Sequence, residues 1–199
     1  MIVITNPSAI SGEISIIDSL FEEGLSLLHI RKPDFSEVEM CHFINQIKVE
    51  FRSNLVLHSH HQLAKDFGIN RIHFSEKERK YSPNFPARFS KPCRYSTSTH
   101  SIEDFNSLEK DFDYAFLSPV FKSISKENYQ PEKDLFEALK SRTNFKTKVI
   151  ALGGIDRENI KKTLEKGFDD VALLGSIWNS ENPVKQFKLC QQIAHSYLA

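Results

Sequence analysis

Two kinds of hydrophobic pattern alternate along the 199-residue chain. Short apolar runs are typical of parallel strands that are buried on both faces. Most intervals between these runs carry apolar residues three or four positions apart, which is typical of helices with one buried face. The apolar runs predict eight strands, at residues 2–6, 25–31, 54–59, 71–75, 93–98, 114–119, 148–154 and 170–176.

Local signals predict where the helices begin and end. Ser36 followed by Glu39 predicts a capping box. Asp156 is placed to cap the helix that follows the seventh strand, and Pro183 is a favourable first residue for the last helix. Residues 76–92 are rich in Lys, Arg, Ser and Pro and predict a loop with at most a short helix. Glycines that can end helices are Gly24, Gly68 and Gly167.

Eight strands joined by seven crossovers predict an α/β fold, a single-domain (β/α)₈ or TIM barrel over residues 1–199. The length suits one domain with a sizeable core. A doubly wound open sheet is the alternative, because a local pattern does not reveal whether a sheet closes.

The composition narrows the range of partners. The 26 Lys and Arg balance the 26 Asp and Glu, which argues against nucleic acid or an anionic membrane as the main partner. No apolar run approaches the roughly 20 residues of a membrane span, and MIVITN does not resemble a signal peptide. Cys41, Cys93 and Cys190 form no CxxC motif, as expected of reduced cysteines in a cytoplasmic protein. The oligomeric state stays open, a homo-oligomer included.

Two segments near the C-terminus, 149–156 and 170–178, each end an apolar run at glycine before a helix-like stretch. Glycine lets the backbone approach an anion, and a helix start offers unpaired N–H groups. Because the loops after the last two strands of a TIM barrel often bind phosphate, the pair predicts a phosphorylated ligand. The alternative is two ordinary turns that need glycine only for geometry.

Polar residues at the predicted strand ends suggest further chemistry. Arg31 inside a barrel needs an anion, either a ligand or a neighbouring carboxylate. His100 could move a proton near neutral pH or cap the next helix. The spacing of His58, His60 and His61 does not favour a metal site. Strand ends bring four histidines toward the mouth, His29, His58, His73 and His100, and the loop after the sixth strand adds Ser123, Ser125 and Lys126, which suit phosphate oxygens.

Seven segments together resemble one family over nearly the whole chain: LHIRKP, VLHS, RIHFSEKE, STSTHS, DYAFLSPVFKSISK, IALGGID and ALLGSI. They are similar to the thiamine phosphate synthase and TenI (thiazole tautomerase) superfamily, whose sixth-strand segment reads roughly GP(V/I)FxTxTK. The resemblance implies a TIM barrel that binds a thiazole phosphate with its glycine-ended loops. The synthases join this phosphate to hydroxymethylpyrimidine diphosphate, using Mg²⁺ and releasing diphosphate.

The resemblance assigns roles to individual residues. The thiazole phosphate falls to Ser123, Ser125, Gly153, Gly154, Gly175 and Ser176, and the diphosphate to Arg31, Ser98 and Lys126. The metal-binding half departs from the synthase pattern. His29 replaces a glutamine as in TenI-type proteins, Pro33 replaces a lysine beside Lys32, and His58 and Ser59 replace an Asn-Asp pair. Glu78 aligns with a second metal-side aspartate.

These departures favour a TenI-like tautomerase that needs no cofactor, with His29, His58 or His100 moving the proton and Lys126 also in the catalytic set. Pro119, however, stands where some TenI proteins carry a histidine. The first alternative is a divergent synthase in which Glu78 helps to hold Mg²⁺. Others are a non-catalytic phosphate-binding paralogue and an isomerase or aldolase of another phosphate-binding barrel group.

Overall fold

The computed structural model describes residues 1–81, 93–109, 111–121 and 134–198. Its eight parallel strands pair in sequence order and close into a barrel, because the first strand pairs with the eighth. This confirms the predicted (β/α)₈ barrel and excludes the open sheet. The strands are β1 (Ile2–Ile4), β2 (Leu27–Ile30), β3 (Leu55–Leu57), β4 (Arg71–Phe74), β5 (Arg94–Thr99), β6 (Phe112–Leu117), β7 (Lys148–Ala151) and β8 (Asp170–Leu173).

Helices surround the barrel and connect the strands. They are α1 (Glu13–Glu22), α2 (Glu37–Gln46), α3 (Glu76–Tyr81), α4 (Ile102–Asn106), α5 (Leu135–Leu139), α6 (Ile160–Glu165), α7 (Gly175–Trp178) and α8 (Pro183–Leu198), with 3₁₀ helices at Val49–Asn54 and His61–Ala64. The connection that ends at Gly68 is thus shorter than a full α-helix. The short helix α3 lies where a loop with at most one short helix was expected, and residues 82–92 lie outside the described part of the chain. None of the described helices has the length and apolar character that crossing a membrane requires.

Most strands end earlier than the apolar runs predict. β1 stops at Ile4 and β7 at Ala151, for example, although the hydrophobic runs extend to residues 6 and 154. Backbone hydrogen bonds continue one residue beyond these ends, from the Thr5 N–H to the His29 carbonyl and from the Leu152 N–H to the Leu117 carbonyl, before the chain forms the loops of the barrel mouth. The hydrophobic pattern therefore locates the strands, whereas the last residues of the predicted runs belong to the loops at the mouth of the barrel.

Several helix signals act as predicted. The Ser36 hydroxyl accepts from the backbone N–H of Glu39, and the Glu39 carboxylate accepts from the backbone N–H of Ser36. Asp156 differs from expectation, because α6 begins only at Ile160. Its carboxylate instead accepts from the N–H of Glu158 at 2.9 Å and closes the turn before the helix.

The inside of the barrel is divided by polarity. One side is apolar and is built from β1, β6, β7 and β8. The strands β2, β4 and β5 on the other side contribute the buried polar residues His29, His73 and Ser96. The apolar residues are Ile2, Ile4, Tyr114, Phe116, Ile150 and Ala172. A larger hydrophobic layer lies between the strands and the helices.

The join between the first and last strands is held by side chains as well as by the ladder. The N-terminal ammonium lies 2.7 Å from the Asp170 carboxylate, and the Trp178 indole N–H donates to the Ile4 carbonyl at 2.7 Å. Helix α8 packs against α1 and α6 across this join and buries Phe187 there. These contacts therefore hold β1 and β8 together where the barrel closes.

Candidate active site

A cavity of about 530 Å³ opens at the carboxyl ends of the strands. Because parallel strands all point their ends the same way, this mouth collects residues from distant parts of the sequence. Residues from the two glycine loops, the β2 end and the β5 end all line it. Of the residues predicted from sequence, it brings together Arg31, His58, Glu78, Ser98, His100, Gly153, Gly154 and Gly175.

The glycine half of the cavity requires glycine at one position above all. Gly153 has a φ of 99°, and a Cβ atom there would lie 2.9 Å from the Cα of Pro119. The Phe121 N–H donates to the Gly153 carbonyl at 3.0 Å, which ties the β6 loop to the β7 loop. The backbone of Gly153 is therefore pressed against the neighbouring loop and forms a floor without side chains.

The second glycine segment begins α7 at Gly175, beside the same cavity. The hydroxyl oxygen of Ser176 is buried without a hydrogen-bond partner. A buried hydroxyl without a partner is costly, so a ligand oxygen would compensate it. Ser123, Ser125 and Lys126 lie outside the described residues, and their roles stay predictions.

Arg31 lies just after the end of β2, and β1 separates that strand from β8 and its glycine loop. Its backbone is fixed to β1, because its N–H donates to the Thr5 hydroxyl oxygen at 2.9 Å. That hydroxyl in turn donates to the Arg31 carbonyl at 3.2 Å. Arg31 belongs to the cavity lining, and its role in binding an anion stays a prediction.

Lys32 also belongs to the cavity lining, but its ammonium is already bound by other groups of the protein. The ammonium lies 2.6 Å from the Glu13 carboxylate in an ion pair that is almost completely buried. It also donates to the Ser8 carbonyl at 3.0 Å and lies 5.0 Å from the ring centre of Phe43. Lys32 therefore does not replace the family lysine that is Pro33 here.

Three histidines meet beside the cavity. His29 comes from β2, His58 directly follows β3, and His73 comes from β4. The Nδ1 atom of His29 is 2.8 Å from Nε2 of His58, and the rings of His58 and His73 stack with centres 4.1 Å apart. Two hydroxyls hold the far sides of the cluster. The Nε2 atom of His29 is 2.7 Å from the Tyr114 oxygen, and Nδ1 of His73 is 2.9 Å from the Ser96 oxygen.

Burial keeps this cluster neutral. Loss of water lowers the pKa of His29 and of His58 well below the usual histidine value, and it lowers the pKa of His73 to about 3. The positive charge of Arg31 adds to the effect on His58 and His73. Burial also raises the pKa of Tyr114 to about 12, so its hydroxyl keeps its proton. At neutral pH the cluster is thus a chain of uncharged donors and acceptors.

His100 is separate from this cluster. Its Nδ1 atom is 2.9 Å from the Ser118 carbonyl, and its Nε2 atom is 3.7 Å from the Glu76 carboxylate. Ser101, rather than His100, caps the following helix α4. His100 lies at the rim of the cavity with about half of its side chain exposed.

Tyr114 is the member of the cluster that sequence reasoning missed, although its position carries a signal. His73 has the same place in β4 that His29 has in β2, and Tyr114 lies two residues before Phe116 on the inner face of β6. Alternation along a strand places such residues on one side, which is the signal for an inward hydroxyl.

His60 does not join the cluster, because its Nε2 atom lies 2.7 Å from the Phe35 carbonyl, and its neighbour His61 packs edge-on against Phe74.

The described residues do not fit the Mg²⁺ centre that the resemblance implies. Mg²⁺ prefers carboxylate oxygens, yet His58 and Ser59 follow β3. Glu78 uses one carboxylate oxygen to cap α3, accepting from the N–H and the hydroxyl of Ser75 at 2.9 and 2.7 Å. Glu76 pairs with Lys80. Glu76 and Glu78 are the two described carboxylates of the cavity lining, and because both already bind groups of the protein they do not support the expectation that Glu78 helps to hold Mg²⁺.

Comparisons with known proteins agree with this architecture. A family model described as thiamine monophosphate synthase matches residues 1–177. The thiamine-phosphate synthase of Caldicellulosiruptor saccharolyticus is 24% identical over 186 residues, which cover 89% of this chain and 81% of that protein. That of Koribacter versatilis is 27% identical over 177 residues, covering 87% of this chain and 82% of the relative.

Solved structures agree as well. The thiamine phosphate pyrophosphorylase of Bacteroides thetaiotaomicron is 30% identical, with a TM-score of 0.77 and coverage of 98% of this chain and 97% of that one. The enzyme of that name from Pyrococcus furiosus, at 18% identity, has the same TM-score with coverage of 100% and 96%, and shows the fold alone. On the match of the family model over most of its length, the chain belongs to the thiamine monophosphate synthase family.

Proposed function

We propose that the protein is a divergent thiamine phosphate synthase, which joins a hydroxymethylpyrimidine diphosphate to a thiazole phosphate. One observation carries the proposal: a single cavity contains both the glycine floor at Gly153 and Gly154 and the guanidinium of Arg31. A single space with separate places for two anionic groups is what this reaction needs. The synthase names of the relatives support this activity over the tautomerase that the departures in sequence favour.

The roles follow from the charge that develops during the reaction. A C–N bond forms between the two rings, the C–O bond to diphosphate breaks, and negative charge collects on the leaving group. Arg31, Ser98 and the predicted Lys126 bind that diphosphate, and electrostatic stabilisation of this kind is usually the largest contribution to catalysis. Gly153, Gly154, Gly175 and Ser176 bind the thiazole phosphate, together with Ser123 and Ser125. No step depends on a metal that the protein itself holds.

A second candidate, the thiazole tautomerase, is favoured by the histidine cluster. His58 faces the cavity, and a hydrogen-bonded chain continues from it through His29 to the protonated Tyr114 hydroxyl. A neutral imidazole beside a ligand can accept and return a proton, which contributes about 10²- to 10⁴-fold. This reaction needs no cofactor.

One pair of assays separates the candidates. The purified protein is given both synthase substrates with and without Mg²⁺, and thiamine phosphate is measured; a thiazole carboxylate phosphate is offered separately, and its isomerisation is measured. We expect thiamine phosphate in the first assay, and formation that requires Mg²⁺ would reject the tautomerase. Isomerisation without any thiamine phosphate would instead reject the synthase, and binding of the thiazole phosphate with neither product would indicate the non-catalytic paralogue.

Substitution of Arg31 tests the assignment of the diphosphate end. Arg31→Ala is expected to lower synthase turnover by about 10²- to 10³-fold, as is typical for loss of a group that stabilises developing charge. The control is Arg94→Ala, because Arg94 lies at the start of β5, away from the mouth, and pairs there with Asp113. Equal effects of the two variants would remove Arg31 from the proposed site.

A further inference from the structure

Three imidazoles come together in a way that the proposed reaction does not require. The potential ligand nitrogens of His29, His58 and His73 all lie within 4.8 Å of one another. They are contributed by three neighbouring strands, β2, β3 and β4, whose pairing fixes their separation. Among the described residues, this is the one group of three or more His, Cys, Asp or Glu side chains with such a geometry.

We propose that His29, His58 and His73 form a binding site for a divalent transition-metal ion, Zn²⁺ in particular, with an open position toward the cavity. Imidazole nitrogen is a preferred ligand of Zn²⁺, and three protein ligands with a fourth, exchangeable position are typical of catalytic zinc sites. The ligand atoms are Nδ1 of His29, Nε2 of His58 and Nε2 of His73. A water molecule takes the fourth place.

Metal binding requires the rings to move, because the stacked rings of His58 and His73 must turn before a nitrogen of each can point at one ion. Zn–N bonds of about 2.0–2.1 Å in a tetrahedral site place two ligand nitrogens about 3.3 Å apart. The His29 and His58 nitrogens are 2.8 Å apart as a hydrogen-bonded pair, so metal binding replaces that bond and separates the rings by about half an ångström. The Nε2 atom of His73 must likewise exchange its bond to the Ser98 hydroxyl, now 2.9 Å long.

The surroundings already orient two of the ligands. A ligating histidine usually bonds a second group through its other nitrogen, which fixes the ring. The Tyr114 hydroxyl occupies this place for His29 and the Ser96 hydroxyl occupies it for His73, at 2.7 and 2.9 Å. The imidazoles are also uncharged at neutral pH, so no proton has to be displaced from a charged ring before the ion binds.

The access route is the cavity itself. His58 and His73 line it together with Ser98, whereas His29 is completely buried behind them. An ion can therefore enter from the mouth and stop against His29, and its free position faces the space that the substrates would occupy. This metal is distinct from Mg²⁺, whose oxygen-rich site the described residues do not provide.

The test is metal binding by untagged protein that has been treated with chelator and desalted. Zn²⁺ is titrated in competition with a chromophoric chelator, and Co²⁺ is titrated while its visible absorption spectrum is recorded. We expect about one ion per chain and a Co²⁺ spectrum of the four-coordinate type. Failure of the native protein to bind either ion at this stoichiometry overturns the proposal.

One variant removes a ligand, a second removes an outer hydrogen-bond partner, and a third is a control. His58→Gln, at the edge of the cluster, should weaken Zn²⁺ binding by more than about 100-fold, whereas Tyr114→Phe should weaken it by about 10- to 100-fold, the usual effect of losing an outer hydrogen-bond partner. His195→Gln is the control, because His195 is an exposed histidine on α8. Binding by His58→Gln at native strength would also overturn the proposal; should that variant fail to fold, His29→Gln and the Co²⁺ spectrum of the native protein replace it. These measurements use no substrate, so their outcome is independent of the proposed synthase activity.

Discussion

Single residues in this barrel have their properties set by burial rather than by their type. His73 is almost completely inaccessible and is held between two serine hydroxyls, so it stays neutral where an exposed histidine would begin to take up a proton. Gly153 is fixed in the same way by the proximity of Pro119.

Stability should fall as the pH is lowered from about 6.5 toward about 3. The pKa of His73 is about 3 in the folded protein, below the ordinary value of 6.5, so the unfolded chain binds more protons in this window. The contribution is therefore complete above pH 6.5 and is lost progressively as the pH decreases, by about 2 kcal/mol at pH 5 for His73 alone. His29 and His58 act in the same direction.

Urea unfolding in the presence of a chelator measures this dependence. His73→Gln should show a weaker loss of stability between about pH 7.5 and pH 5 than the native protein does. His195→Gln, whose histidine is exposed, should keep the native dependence. A His73→Gln profile parallel to that of the native protein would mean that His73 is already charged in the fold.

Gly153→Ala should destabilise the protein more than Gly12→Ala. Both glycines have a positive φ, so each substitution carries the backbone cost of roughly 1–2 kcal/mol. Only at Gly153 does the new methyl group also meet a backbone atom at 2.9 Å, which adds about 1–3 kcal/mol of overpacking. Denaturant midpoints compare the two variants, and equal losses would show that the β6 loop moves aside freely.

At the scale of elements, the loop after β2 explains how one segment serves both core and site. Arg31 and Lys32 are adjacent and both belong to the cavity lining, yet the Lys32 ammonium is buried in an ion pair with Glu13 of α1. The ion pair connects this loop to α1, and the Thr5 hydroxyl connects it to β1. The position of Arg31 therefore depends on the ion pair that holds its neighbour Lys32 in the core.

Lys32→Met should unfold the protein much more easily than Lys48→Met. Loss of Lys32 leaves the Glu13 carboxylate buried without its partner, at a cost of about 3–5 kcal/mol. Lys48 pairs with Glu22 on the surface, where water screens both charges, so its loss should change stability little. Addition of Glu13→Leu to Lys32→Met should restore much of the loss, and a double variant as unstable as the single one would argue against the buried pair as the cause.

The sequence predicted elements better than it predicted side-chain partners. Strand positions followed from the apolar runs, whereas closure of the barrel depends on pairing between β1 and β8 that no local pattern reveals. The cap at Ser36 and the helix start at Pro183 followed from local chemistry. The position of His29 near the mouth followed from its place at the end of a predicted strand. The partnership of His29 with His58, His73 and Tyr114 did not, because it depends on the register between strands that are far apart in sequence. Glu13 was not predicted as the partner of Lys32 for the same reason.

For the whole molecule, the decisive property is the unequal filling of the barrel. Apolar side chains from β1, β6, β7 and β8 form one side, and imidazoles and hydroxyls from β2 to β5 form the other. The apolar side includes the join between β1 and β8, which α8 covers from outside. We infer that packing at this join stabilises the cylinder, while the polar side is kept for chemistry.

Phe187→Ala tests the contribution of α8. Phe187 is 1% exposed, and its removal should lower the free energy of unfolding by about 3–5 kcal/mol, as large-to-small changes in a core do. The matched control is Phe145→Ala, because Phe145 is 75% exposed and its loss should change stability by less than about 1 kcal/mol. Thermal or urea unfolding compares the two, and similar effects would show that α8 is not part of the cooperative unit.

The bond between the Trp178 indole and the Ile4 carbonyl has a practical consequence. The chain contains a single tryptophan, so all of its indole fluorescence comes from this one buried ring, three residues after Gly175. A change in emission therefore reports on one location, where the last strand meets the first. Tryptophan emission should therefore change when β1 separates from β8, and it should also change when an anion binds at the adjoining glycine loop.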